Sequence, residues 1–280
     1  MGLPADPELS LIVPCYNEQA VIPYTIPQLV QAFERAGHRL ELIACDNGSS
    51  DRTGEILREF AAAGLPVVYH RVEPNEGYGN GILKSIPVCR APWIGIIPAD
   101  GQVDAEDVSR LFEAVKFTSP RSLGKARRRF RMDGALRKVV SIFYNAFVWI
   151  LWPRLGSIDI NGSPKIIPRE VLLAMDLQSR QWFLDPELMV KAHYMGVRVL
   201  EMNVFARMRG NGLSHVRGST AWEFFTKLLR LRFGGELSKW RAGLVWPPPS
   251  AGDSPSVAGA GKGAGAKGAR DDATPAAGAR

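Results

Sequence analysis

An aspartate placed where an apolar run stops is well presented to a ligand, and this chain has one at Asp100. The run Trp93 to Ile97 ends in Pro98-Ala99-Asp100-Gly101, and a helical pattern follows from about Ala105. In open α/β sheets, ligands lie outside the carboxyl ends of the strands, which makes Asp100 a candidate ligand residue. An Asx turn closed on Gly101 is the alternative reading of the same local sequence. Two further polar clusters share this placement. Asn17-Glu18 follow the apolar run Leu9 to Val13, and Asp46-Asn47-Gly48-Ser49-Ser50-Asp51 follow Leu40 to Cys45. If these runs are parallel strands, Asn17, Asp46 and Asp100 converge on one edge.

The elements that must position them read as strand and helix in alternation. Strands are predicted at Leu9 to Val13, Leu40 to Cys45, Val67 to Val72 and Trp93 to Ile97. Helices are predicted from Val21 to a stop at Gly37, from Thr53 to Ala63, from Tyr78 to Ile86, and from Asp107 to Phe117. This alternation predicts an α/β fold with a mostly parallel sheet covered on both faces. Further on, Leu184 to His193 reads as a helix, Val197 to Val204 as a strand, and Trp222 to Trp240 as one amphipathic basic helix. After Pro247-Pro248-Pro249 the chain is Gly/Ala/Ser-rich and lacks large apolar residues, so a disordered tail is expected over 247–280. The expected division is an extension over 1–8, a domain over 9–218 split near 117, and the helical segment over 219–246.

Composition narrows the chemistry. Three scattered cysteines without C-x-x-C spacing argue against a disulfide framework or a zinc site, and fit a reducing compartment. The first eight residues show no basic or apolar region of a secretory signal. The net charge of +7 is concentrated in Lys125 to Lys138 and in Arg207 to Arg232. Such patches suit nucleic acid, a phosphorylated ligand or an anionic membrane. No aromatic-rich RNA motif or zinc module supports nucleic acid as a partner. The apolar stretch Val139 to Trp152 is shorter than the roughly 20 residues of a membrane span. It is either a core helix or an interfacial helix with basic flanks.

The motifs resemble those of the family 2 glycosyltransferases. Val13-Pro14-Cys15-Tyr16-Asn17-Glu18 is similar to that family's P-x-[YF]-N-E, and Asp46 to Thr53 to its D-[DN]-G-S-x-D-x-T. Asn75-Glu76-Gly77-Tyr78-Gly79-Asn80-Gly81 fits its N-x-G-x-G-x-[AG] turn, and Ala99-Asp100-Gly101-Gln102 its metal-binding D-x-D-x-Q. The four occur in order, each directly after a predicted strand, and the resemblance covers about residues 9 to 215. It is greatest to the branch of polyprenyl-phosphate mannose and glucose synthases. The resemblance implies a single GT-A-type (Rossmann-like) domain with a mixed, mostly parallel sheet. It also implies a nucleoside-diphosphate sugar donor and Mg²⁺ or Mn²⁺ as cofactor.

Carried onto this chain, the resemblance makes Pro14, Asn17, Glu18, Asp46, Gly77, Gly79, Asp100 and Gln102 donor-binding. Asp46 would meet the base edge and Glu18 the ribose, although Glu18 also suits support of the first helical turn. Ser49, Ser50 and Asp51 read as capping residues of the next helix. Asp100 would hold the cation, since a hard ion on carboxylate oxygen neutralises a diphosphate leaving group. Pro98 stands at the family's first aspartate. Asp159-Ile160-Asn161-Gly162 is similar to the D-x-x-[SN]-G segment of the sugar pocket. Asp185, in Phe183-Leu184-Asp185-Pro186-Glu187, matches a catalytic or sugar-orienting acid. It would be general base toward a sugar hydroxyl, an orienting group toward a phosphate acceptor, or only a helix cap. Arg207, Arg209, Ser214 and His215 fit the branch's R-x-x-G-x-S-[KH] loop, which would grip diphosphate or lipid phosphate; His215 replaces a frequent Lys.

The function implied is an inverting hexosyltransferase acting on a polyprenyl phosphate acceptor. It would be peripheral on the cytoplasmic leaflet, with Lys125–Lys138, Val139–Trp152 and Trp222–Trp240 facing the membrane surface. The alternatives are transfer to a soluble or glycan acceptor with Asp185 as base, and a basic binding module without catalysis.

Overall fold

The computed structural model describes residues 2–131, 135–206, 218–244 and 246. Its strands in chain order are β1 (Leu9–Cys15), β2 (Leu40–Asp46), β3 (Val67–Arg71), β4 (Trp93–Ile96), β5 (Ser122–Arg131), β6 (Lys165–Pro168) and β7 (Arg198–Ala206). The helices are α1 (Ile22–Arg35), α2 (Thr53–Ala62), α3 (Tyr78–Ser85), α4 (Ala105–Lys116), α5 (Ala135–Leu151), α6 (Arg169–Ala174), α7 (Leu184–Tyr194), α8 (Gly218–Phe233) and α9 (Glu236–Gly243). The strands form one seven-stranded sheet in the order β3-β2-β1-β4-β6-β5-β7. β6 runs antiparallel to both its neighbours, β4 and β5, while the other pairs are parallel. The expected mixed, mostly parallel α/β domain is what forms.

The central strands read as largely apolar runs because both faces of the sheet are covered, and the polar exceptions Ser10 and Glu41 are buried and hydrogen-bonded to each other. Successive side chains point to opposite faces. Leu9, Leu11 and Val13 of β1 therefore enter one core and Ile12 the other, and Leu42 and Ala44 of β2 divide from Ile43 in the same way. On the first face α1 and α4 supply Ile26, Phe33, Leu111 and Phe112, with the Phe33 and Phe112 rings 6.1 Å apart. On the second, α3, α6, α7 and α8 supply Ile82, Val171, Leu188 and Leu228. Pro23 sits in the first turn of α1, where its missing N–H has no intrahelical partner to lose. Gly37, at φ +72°, ends that helix in the left-handed conformation.

The second half departs from expectation in three places. The predicted helix Trp222–Trp240 is two helices, because Gly234-Gly235 interrupts it and Gly235 takes φ +81° before α9 begins. Lys125 is not part of an exposed basic face. It lies on β5 with its side chain fully buried and paired to Glu201 at 3.0 Å. The stretch Val139–Trp152 is neither wholly core nor wholly free: Val148 and Trp152 are buried, but Ile142, Phe143, Trp149 and Ile150 are 59–73% exposed. Among the described residues, no helix is long and apolar enough to cross a membrane. The expected disordered tail over 247–280 lies outside the described residues.

Lys125 links this core to pH. Burial pushes its pKa down to about 8 from the ordinary 10.5, against the opposing pull of Glu201. Below the folded value both folded and unfolded chains carry this proton, and the cost of burying the charge is present in full. Between 8 and 10.5 the unfolded chain binds a proton that the folded chain has lost, so stability from this group rises with pH. Urea unfolding of the wild type should therefore gain about 1.5 kcal/mol relative to Lys125→Met between pH 8 and pH 9.5, the slope approaching about 1.4 kcal/mol per pH unit above pH 8. Parallel pH profiles for the two proteins would show the assignment to be wrong.

Candidate active site at the carboxyl edge of the sheet

The loops after β1 and β2 are fastened to each other by backbone-to-side-chain hydrogen bonds. Asn17 N–H donates to Ser49 Oγ (3.1 Å) and Glu18 N–H to Thr53 Oγ1 (2.8 Å), while Asn17 Oδ1 accepts from Ser50 N–H (2.9 Å). Asp51 receives both Gln19 N–H and Thr53 N–H. Asn17 holds the left-handed conformation, φ 54°, which asparagine tolerates better than most residues. Pro14 lies past the last β1–β4 pair, Ile12 opposite Ile96, where β1 has only β2 beside it. The expected capping cluster is thus partly a clasp between loops, with Asp51 Oδ1 serving Thr53 at the start of α2.

Asp46 is fully buried, and its carboxylate takes three protein donors. Ser49 N–H lies at 2.9 Å, the Tyr69 hydroxyl at 3.1 Å and the Arg71 guanidinium at 2.6 Å. Tyr69 and Arg71 both bond Oδ2, whereas among the described residues Oδ1 takes only the Ser49 N–H. Asn47 reaches across with Nδ2 to Asn75 Oδ1 (3.1 Å) and the Gly77 carbonyl (3.0 Å), bringing the glycine turn to the same edge. Cys45 is no nucleophile there: burial raises its pKa to about 11.

The glycines of that turn have a packing role. Gly77 adopts φ +115°, and a Cβ on Gly79 would stand 2.2 Å from the Ser179 carbonyl oxygen. Asn80 N–H donates to the Arg180 carbonyl at 2.7 Å, and Tyr78 stacks on Trp182 with ring centres 4.4 Å apart. Residues 178–182 form a strap over the turn. Glu187, nearly buried on α7, holds it by accepting from Gln178 N–H and Ser179 N–H (2.8 Å).

Asp100 stands just beyond β4, half-exposed, with Ile97 N–H still donating to Ile12 O (3.0 Å). Its Oδ1 accepts from Gln102 N–H at 3.2 Å, and Gly101 takes φ +65°. The Asx turn read from local sequence is therefore present, and it fixes the carboxylate at the strand end. Among the described residues no group of three or more His, Cys, Asp or Glu side chains could cage a metal ion. A half-exposed single carboxylate does fit a cation such as Mg²⁺, which needs one or two carboxylates when phosphate oxygens and waters complete its shell.

The far side of the edge carries residues that sequence reasoning missed. Lys165 on β6, with its side chain 1% exposed, contacts Asp185 Oδ1. Asp185 is in the first turn of α7, which Phe183 begins without any side-chain cap, so the carboxylate faces Lys165 and does not serve as a helix cap. Lys125 binds Ser157 Oγ (3.0 Å), Glu201 and the Asp159 carbonyl, pinning the 157–163 segment. Asn145 of α5 accepts Ile160 N–H at 3.3 Å. Burial and then the Asp185 charge push the Tyr144 hydroxyl far above its ordinary pKa. A lysine bordering a short apolar run reads as surface, so no local signal marks Lys165. The expected phosphate-binding residues Arg207, Arg209, Ser214 and His215 lie outside the described residues.

Comparison with known proteins bears on the family and the fold. The family model "Glycosyl transferase family 2" matches residues 10–169. An uncharacterized glycosyltransferase of Mycobacterium tuberculosis is 30% identical over 213 residues, covering 75% of this chain and 90% of that protein. The dolichol-phosphate mannosyltransferase of Pyrococcus furiosus is 24% identical over 240 residues, covering 83% of this chain and 66% of that protein. In structure, the chain resembles glucosyl-3-phosphoglycerate synthase from Mycobacterium tuberculosis, solved with Mn²⁺, UDP and glucosyl-3-phosphoglycerate. The TM-score is 0.63 at 20% identity, over 81% of this chain and 80% of that one.

The strap contact makes a prediction. A methyl at Gly79 meets backbone, which cannot swing away, so Gly79→Ala should cost about 1–3 kcal/mol in urea unfolding. Gly243→Ala, which meets nothing within 4 Å, should stay within about 0.5 kcal/mol of wild type. Equal effects at the two sites would refute the tight packing of turn on strap.

Proposed function

This chain belongs to glycosyltransferase family 2, and from that premise we propose that it moves a hexose from a nucleoside-diphosphate sugar to the phosphate of a polyprenyl lipid at a membrane surface. The observation that carries the lipid acceptor is the exposed face of α5 and α8 beside the edge. Ile142, Phe143, Trp149 and Ile150 on α5 stand 59–73% exposed, and Phe225, Leu229 and Phe233 line α8 at a spacing of four. Phe147 stacks on Phe225 at 3.7 Å, joining the two helices. Lys227, Arg230 and Arg232 are interleaved with the α8 stripe. Apolar side chains for the acyl boundary beside cations for anionic headgroups are what an interfacial surface requires. The similarity to a dolichol-phosphate mannosyltransferase supports the same reading.

In this reading the nucleotide lies along the loops after β1 and β2, which Asn17, Glu18 and Asp46 shape, with the glycine turn and the strap packed on it beside the diphosphate. Asp100 would hold Mg²⁺ or Mn²⁺, and Gln102 lies beside it. Such a cation, when bound, offsets the negative charge that builds on the departing diphosphate. An oxygen of the acceptor phosphate attacks the anomeric carbon from the face opposite the nucleotide. The new C–O bond forms as the bond to the nucleoside diphosphate breaks, with inversion. A phosphate monoester with a second pKa of about 6 is already anionic near neutral pH. No base is then needed, and Asp185 orients the sugar. Arg207, Arg209, Ser214 and His215 would bind phosphate.

Three experiments test this. Labelled nucleotide sugar with polyprenyl phosphate in anionic vesicles should yield an organic-extractable product; label appearing only in water-soluble glycosides would point to a soluble acceptor and end the lipid reading. Asp100→Ala should lower kcat by about 10²-fold or more, the usual scale for losing leaving-group stabilisation, and unchanged turnover would remove Asp100 from the site. Phe143→Glu with Trp149→Glu should abolish vesicle co-sedimentation while leaving binding of the nucleotide intact.

A further inference from the structure

Two lysines occupy the sheet where apolar side chains would be ordinary. Lys125 and Lys165 are register partners on β5 and β6, and both side chains are buried. Like charges opposite each other in a ladder repel, and a buried ammonium is costly unless it is paired. Each has its own acid, Glu201 for Lys125 and Asp185 for Lys165. A buried ion pair adds little stability over well-packed apolar residues of similar volume, so packing alone does not account for a lysine at 165. Its location does. Lys165 is the register partner of Ile96, the last residue of β4, and so lies at the strand end that leads into Asp100. Asp185 keeps a small opening, its side chain 13% exposed, and its hydrogen bond to Lys165 uses Oδ1 only.

We propose that Lys165 is a positioning residue, whose ammonium fixes Oδ1 of Asp185 so that Oδ2 is held ready to accept a hydrogen bond from a hydroxyl of the transferred sugar. The inference rests on the reading of Asp185 as a sugar-orienting group. A lone carboxylate on a helix turn can rotate; one held by an ammonium that is itself locked in a strand cannot. Catalysis gains when such a group is already in place as charge develops on the sugar ring. Lys125 does the same for the facing segment, through Ser157 Oγ and the Asp159 carbonyl. The two ammoniums, neighbours in the ladder, thus hold one segment each: Lys165 the first turn of α7 and Lys125 the loop at 157–159.

The test compares Lys165→Met, Lys165→Gln, Lys165→Arg and Asp185→Asn in the full chain. Acceptor-independent hydrolysis of the nucleotide sugar is read alongside transfer, so a failed lipid acceptor would show as lost transfer with hydrolysis retained. Lys165→Met should lower kcat about 10- to 100-fold with the nucleotide-sugar KM changed less than about threefold, the pattern of an interaction realised in the transition state. Lys165→Arg should recover about tenfold of that loss. Adding Asp185→Asn to Lys165→Met should cost little more, because the two act as a unit. If Lys165→Met does not fold, Lys165→Arg against Lys165→Gln decides, with Arg expected to be about tenfold faster. Equal kcat for Arg and Gln, or near-wild-type kcat in Lys165→Met beside an impaired Asp185→Asn, overturns the proposal.

Discussion

The order in which the chain fills its sheet governs the rest of the molecule. β1 is laid down inside the sheet, the chain steps outward through β2 to β3, then returns to the other side of β1 as β4. The connections after β1 and β4 therefore part in opposite directions and leave a crevice between their carboxyl ends. Asn17 and Asp100 flank that crevice because of this reversal, and no local feature of either loop would have put them there. Parallel pairing then delivers Asp46 beside Asn17, through the register of Cys15 with Asp46.

The other half of the sheet solves a different problem. β6 runs against its neighbours, so its first residue, and not its last, lies at the ligand edge. That first residue is a lysine, and the strand beside it carries another. Carboxylates from α7 and β7, elements far along the chain, make both ammoniums tolerable in the interior. This half of the edge is thus held by ion pairs between distant segments, whereas the loops after β1 and β2 are held to one another by backbone N–H groups.

This difference explains what could be read from sequence. The first four strands and the helices between them were legible because two-sided burial leaves continuous apolar runs punctuated by Pro14, Gly37 and Gly64. Asp100 and Asn17 were legible for the same reason, as polar residues at strand ends. β5 was not, since Ser122–Arg131 is rich in Arg and Lys and reads as solvated surface; nor was β6, four residues with a lysine at the head. The pairing of Asp185 was equally hidden. Its place in the first turn of a helix suggests capping, and only the partner strand shows that the carboxylate faces elsewhere. Two adjacent glycines at 234–235 were a visible break that the amphipathic pattern on either side obscured.

The place of β5 in the sheet also bears on how the protein is made. Among the described residues β5 pairs with no strand that precedes it in the chain; it joins the sheet through β6 and β7. During synthesis it is complete well before either partner has been added, and a strand with open N–H and C=O rows is a template for mispairing with other chains. Its sequence meets that hazard. Lys125, Arg127, Arg128, Arg129 and Arg131 make the waiting strand strongly cationic, which keeps copies of it apart until the later strands arrive. The charges that disguise β5 as surface are thus suited to guarding it while it is one.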